Sequence, residues 1–238
     1  MKKFLENNKI YFETIAATCI GIMAIIVSVS QALVAYRTLN LDKLRYMPEI
    51  TASIVIDKST CGRGTWALRV LNSSGIAYHV TYHPIAFLYI HQVQLLQPGE
   101  KPSPSIHIKE AKIPIVGLFS PIEYDTRATK GLISTTCTNN MWAMYDVEKK
   151  LNRYESRENL STTSYVIMLL KINYTNQFMI RRTEYFRFTP GGQAVPIAAL
   201  VGSKDFLTYR EMETKQEILQ YGKSTARDIL SLWRKLAV

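Results

Sequence analysis

The sequence predicts an α+β membrane protein with one N-terminal transmembrane helix. A mostly antiparallel, β-sandwich-like soluble domain with an inserted helix follows, and then a long C-terminal helix. Three observations predict this. Residues 14–36 (TIAATCIGIMAIIVSVSQALVAY) carry no charge. Residues 49–192 contain several runs in which apolar side chains alternate at period two, broken by Gly, Pro and Asn. From residue 203 the spacing becomes helical. A hydrophobic content of 47% with 20% charged residues is that of a folded chain.

Residues 1–13 form a short polar tail. At about 1.5 Å per helical residue, positions 14–36 cover about 35 Å, enough to cross a hydrocarbon core of about 30 Å. Glu13 and Arg37 bound the run, and Tyr11, Phe12 and Tyr36 stand where interfacial aromatics are favoured. The run is longer than a signal-peptide core and residues 31–36 offer no small-x-small exit, so an uncleaved anchor is expected. Basic residues tie across it: Lys2, Lys3 and Lys9 on one flank, Arg37, Lys43 and Arg45 on the other. Outside the helix there are two cysteines, Cys61 and Cys137, which could form one disulfide but not a disulfide-dense framework. The expected location is a single pass in a membrane with the domain on the cytoplasmic side.

Residues 37–48 continue as a juxtamembrane helix or linker that stops before Pro48. Strands are expected at 49–57, 65–72 and 77–82, the last ended by His83-Pro84. An apolar stretch at 85–96 precedes a proline-rich loop. Further strands are expected at 105–108, 113–119 and 132–136, and a surface helix at 141–155. Residues 165–174 and 178–189 form the strongest strand pair, joined by Thr175-Asn176-Gln177, with Tyr185 on the opposite face from Phe186 and Phe188. Pro190-Gly191-Gly192 closes the sheet region. Residues 203–236 are expected to be helical, capped by Ser203 and divided near Gly222.

Pro48-Glu49-Ile50, followed by residues 68–80 (LRVLNSSGIAYHV), resembles a pattern of small bacterial single-pass membrane proteins. In these, a membrane helix leads into an immunoglobulin-like β-sandwich. Ile172-Asn173-Tyr174 with Arg187-Phe188 resembles the closing hairpin of that fold. Some such proteins are similar to membrane effectors of bacterial antiphage systems of the retron type. The resemblance implies this layout, and an effector or interaction role at the inner membrane.

Candidate chemistry is sparse. His79 and His83 would share a strand face, but no carboxylate or cysteine completes a metal set. Cys61 lies beside Arg63, which would favour a thiolate, without a histidine–carboxylate pattern to make it a nucleophile. No catalytic, cofactor or metal residues are assigned, and no enzyme is expected. The helix carries more information: Ala17, Gly21, Ala24, Ser28, Gln31 and Ala35 recur in a heptad stripe of small and polar residues, which permits close helix association in lipid. At the other end, Arg227, Leu230, Trp233, Arg234 and Lys235 belong to an amphipathic segment suited to a membrane surface, or to packing on the domain. The net charge of +10 favours anionic lipid. The expected partners are the bilayer and a second copy of the chain or a partner protein; nucleic acid is compatible with the charge but has no motif. The functional expectation is a membrane-anchored interaction or effector protein, with an accessory subunit of a membrane complex, or an enzyme whose site is not recognised, as the alternatives.

Overall fold

The computed structural model describes residues 8–56, 61, 65–94, 109–119, 127–128, 131–138 and 160–237. The expected strand at 105–108 and the expected helix at 141–155 lie outside them. The chain divides into two units, Met1–Met47 and Pro48–Val238.

The first unit is one helix, α1, Lys9–Arg45, which continues the apolar run through the juxtamembrane residues without a break. Within it, Tyr11–Lys43 is long and apolar enough to cross a membrane, with mean hydropathy 2.1 and none of its window buried. The helix ends just before Pro48, as the restriction on the residue preceding a proline leads one to expect.

The second unit is built on two sheets. β1 (Ile50–Ile56), β2 (Trp66–Asn72) and β6 (Gly131–Cys137) form a three-stranded antiparallel sheet in the order β1-β2-β6. The larger sheet contains β3 (Ala77–Gln94), β4 (Lys109–Val116), β5 (Arg127–Ala128), β7 (Leu160–Asn176), β8 (Arg181–Phe188), β9 (Ala194–Ile197) and β10 (Leu219–Gln220). Its order is β10-β4-β3-β7-β8-β9, with β5 beside the start of β3. Among the described residues only the β10–β4 pairing is parallel.

Alternation along the long strands assigns their two faces. Val80, Tyr82, Ala86, Leu88 and Ile90 of β3 and Met168, Leu170 and Ile172 of β7 point inward. They share one core with Ile50, Ile54, Leu68, Val70 and Ile133 of the smaller sheet. The Tyr82 hydroxyl meets the Thr136 hydroxyl at 3.1 Å across that core. Gly192 joins the sheets at another point. Ile54 N–H donates to its carbonyl at 2.6 Å, and a Cβ there would stand 2.2 Å from the Ile54 carbonyl oxygen. Cys61 and Cys137 are disulfide-bonded, tying the β1–β2 connection to the end of β6.

Several expectations are corrected. His83-Pro84 does not end a strand: β3 runs through it for 18 residues. β4 pairs with β3 only from Ala86 onward, so Pro84 lies on a stretch with a single described neighbour, β7, where a missing N–H is tolerated. His79 has φ 51 at a register shift between Tyr78 and Thr81, which interrupts the alternation that would have placed it with His83.

The long C-terminal helix expected over 203–236 is two short helices with a strand between them. α2 is Ala199–Thr214 and α3 is Ala226–Leu236. Ser203 is not a cap, since its hydroxyl donates to the Leu200 carbonyl inside α2. Gln216, at φ 56, turns the backbone out of helical geometry, and Leu219 then pairs beside Ile115. Burying Leu219 against the sheet outweighs continued helix.

Candidate functional site

The stripe of α1 lies on one side of the helix by its spacing, and all its members are exposed within this chain. Ser28 donates its hydroxyl to the Ala24 carbonyl at 2.8 Å, so it needs no partner from outside. Gln31 differs, because an amide carries two donors and an acceptor and a helix satisfies none of them by default. Gly21 has no side chain or backbone within 4 Å of where a Cβ would sit, leaving the helix surface open there.

The C-terminal residues divide into two groups. α3 begins with a reciprocal cap: the Asp228 carboxylate accepts from Thr225 N–H at 2.7 Å and from its hydroxyl at 2.8 Å, while Asp228 N–H donates to the Thr225 hydroxyl oxygen. Those bonds hold the Asp228 carboxyl below its usual range. Ile229 and Trp233 are buried in the main core, with Leu230 packed against it. Of the two readings of this segment, packing on the domain is the one that Trp233 and Leu230 follow. Arg227, Arg234 and Lys235 remain exposed, and Lys235 pairs with Glu217 at 2.8 Å.

A concavity on the other face of the large sheet was not anticipated. Ile85, Phe87, Ile167 and Leu169 form a second, smaller core there, with Phe206 and Tyr209 of α2 packed against it. α2 is fastened by specific contacts. Gly202 lies so close to β8 that a Cβ would come within 2.3 Å of the Tyr185 ring. Phe206 tilts on Tyr185 with ring centroids 5.7 Å apart, and Tyr209 meets Phe87 edge-on at 5.6 Å. The Tyr209 hydroxyl donates to the Ile115 carbonyl at 3.3 Å, and burial pushes that phenol up to about 12. Asp205 forms an ion pair with Lys112, whose ammonium also lies 4.5 Å from the Phe87 ring centre.

Between α2 and the strands a groove of about 440 Å³ remains. Its floor is Ile85, Tyr185 and Phe206, and its polar edge includes His83, Lys171, Arg210 and Glu213. His83 and Lys171 are direct cross-strand partners, and Lys171 is in turn opposite Tyr185. In the next row, Asn173 donates to Thr81 at 3.2 Å and accepts from Thr183 at 2.9 Å. Burial, then Lys171, then Arg210, lowers the His83 imidazole below its ordinary value. Two cationic side chains thus converge on one imidazole at the edge of an apolar concavity.

His83 was singled out in the sequence only as a metal candidate. No group of three metal-ligating side chains occurs among the described residues. His91 instead faces Glu110 at 3.6 Å. The groove had no sequence signature, because its cations come from positions 83, 171 and 210, brought together by strand register and by the docking of α2. No protein-family model matches the chain, and no curated protein matches it either.

Proposed function

We propose that this chain is a membrane-anchored interaction protein: α1 spans the bilayer and self-associates along its small-residue stripe, and the β-domain binds a partner or senses a signal. The observation that supports this most directly is a helical span, Tyr11–Lys43, long and apolar enough to cross a membrane and with none of its apolar window buried, on a chain whose β-domain has a hydrophobic core of its own. Lipid is the environment that suits such a surface. Gln31 adds the motive for association, since its amide is costly toward lipid and is satisfied by a neighbouring helix. Energy transfer between labelled full-length chains in vesicles tests it. Gln31→Leu with Gly21→Leu is expected to weaken association about tenfold, and unchanged transfer would overturn self-association.

The Cys61–Cys137 bond favours an oxidising compartment for the domain, opposite to the cytoplasmic expectation. We therefore place the domain on the outer side of a bacterial inner membrane. Thiol labelling of intact and lysed cells under non-reducing conditions tests this: only Cys19 should react after denaturation. Free Cys61 and Cys137 would return the domain to the cytoplasm.

The antiphage-effector reading adds that assembled helices perturb the bilayer, and the exposed Gln31 is what favours it. Its mark would be growth arrest on expression that disappears in the same double variant.

A further inference from the structure

We propose that the groove between α2 and the outer face of the large sheet is a binding site for a small amphiphilic anion, a phosphate or carboxylate joined to a flat apolar group. This rests on the reading of the β-domain as a binding module, and names its ligand class.

The volume, about 440 Å³, falls in the range that holds metabolite-sized ligands. The floor supplies flat apolar surface from Phe206 and Tyr185, widened by Leu207, which is 60% exposed. An apolar group laid there would cover surface that now faces water. The edge supplies charge. Lys171 and Arg210 both line the groove, and among the described residues neither forms an ion pair. Lys112, which also contacts α2, is by contrast matched by Asp205.

Placing cationic groups as direct cross-strand neighbours or across a shared concavity is unfavourable by itself. Lys171 on β7 and Arg210 on α2 are such groups, lining one concavity beside His83. An anion between Lys171 and Arg210 relieves that repulsion and accepts charge-assisted hydrogen bonds from both. Arg210 supplies a planar fork that suits a carboxylate or phosphate, and Lys171 a point charge. Glu213 on the rim opposes an anion and disfavours highly charged ligands, which points to one or two negative charges. Ser203 keeps its hydroxyl proton on the Leu200 carbonyl, so toward a ligand it offers an acceptor rather than a donor.

The test uses the full-length chain in nanodiscs of zwitterionic lipid, titrated calorimetrically with naphthyl phosphate, naphthoate and uncharged naphthylmethanol. Both anions should bind at least about tenfold more tightly than the alcohol. Lys171→Met and Arg210→Gln should each weaken anion binding about tenfold while leaving alcohol binding unchanged and not lowering the melting temperature of the free protein. Glu213→Gln should strengthen it, and Arg234→Gln, on α3, should do neither. Equal binding of anion and alcohol, or wild-type anion affinity in both cation variants, would overturn the proposal. So would weaker binding in Glu213→Gln. Displacement of naphthyl phosphate by a water-soluble short-chain anionic phospholipid, and not by a nucleoside monophosphate, assigns the site to a lipid headgroup. The converse assigns it to a soluble phosphate, and both support the site. Helix self-association is read separately by energy transfer, so failure of one leaves the other standing.

Discussion

The two helices that cover the large sheet are held in different ways. α3 is 11 residues long, separates an apolar from a charged face, starts with a reciprocal cap, and buries Ile229 and Trp233 in the main core. α2 is longer, at 16 residues, yet has no side-chain cap and buries only Gly202. It is held instead by a glycine notch over Tyr185, the Asp205–Lys112 pair and two aromatic contacts. A helix that fills its contact surface leaves no room. A helix held at a few points leaves a groove, and the cations lie along it.

The largest expected effect breaks α3. Trp233→Ala removes a buried indole and should cost about 3–5 kcal/mol in urea unfolding of the full chain in detergent. A loss below about 1 kcal/mol would mean that α3 is not part of the core.

Gly202→Ala separates the two modes of attachment. On an isolated helix alanine is better than glycine by about 1 kcal/mol, but here its methyl meets Tyr185, and overpacking of about 1–3 kcal/mol should prevail. In a Tyr185→Gly background, which removes Cβ, Cγ and Cδ1, the three atoms nearest that methyl, the same change should become neutral or stabilising relative to that background. Destabilisation that persists there would show that the notch is not what holds α2.

Thr225→Ala should cost about 1 kcal/mol by removing the cap of α3. Asp228 is held below its usual value of 3.8, so its contribution is present above that pH and is lost as pH falls through the native value. The gap between wild type and Thr225→Ala should accordingly narrow in acid, leaving the part due to the Asp228 N–H bond to the Thr225 hydroxyl.

The smallest effect lies in the groove. His83 titrates below 6.5 in the native state, so the unfolded chain takes up the proton first as pH falls. Its contribution is complete above 6.5 and declines as pH falls through 6.5 toward the native value. Between about pH 7 and pH 5 the melting temperature of wild type should fall slightly more than that of His83→Gln. Lys171→Met and Arg210→Gln should each reduce that difference, and equal slopes in all four proteins would remove the cationic neighbourhood from the account.

Much of the fold was legible where a residue's neighbours along the chain decide its environment. The uncharged run at 14–36, the alternation in β1, β2 and β8, and the segregated charge of α3 all report local burial directly. The misreadings share one cause, a distant partner that overrides a local signal. His83-Pro84 looks like a stop, yet β7 carries the strand through it. Residues 203–236 look like one helix, yet β4 captures Leu219. Of the candidate sites, the α1 stripe was readable because all its members sit on one helix, and the groove was not.

The sequence by itself determined that one segment is apolar enough for lipid, that the rest alternates as sheet, and that the last turns are amphipathic. These follow from side-chain period and transfer free energy, which are local quantities. Tertiary structure decided which amphipathic face is filled, which cysteines meet, and that Lys171 and Arg210 share a concavity with His83. Those depend on register and on the close approach of α2 at Gly202, contacts between residues more than ten positions apart, which no local period encodes.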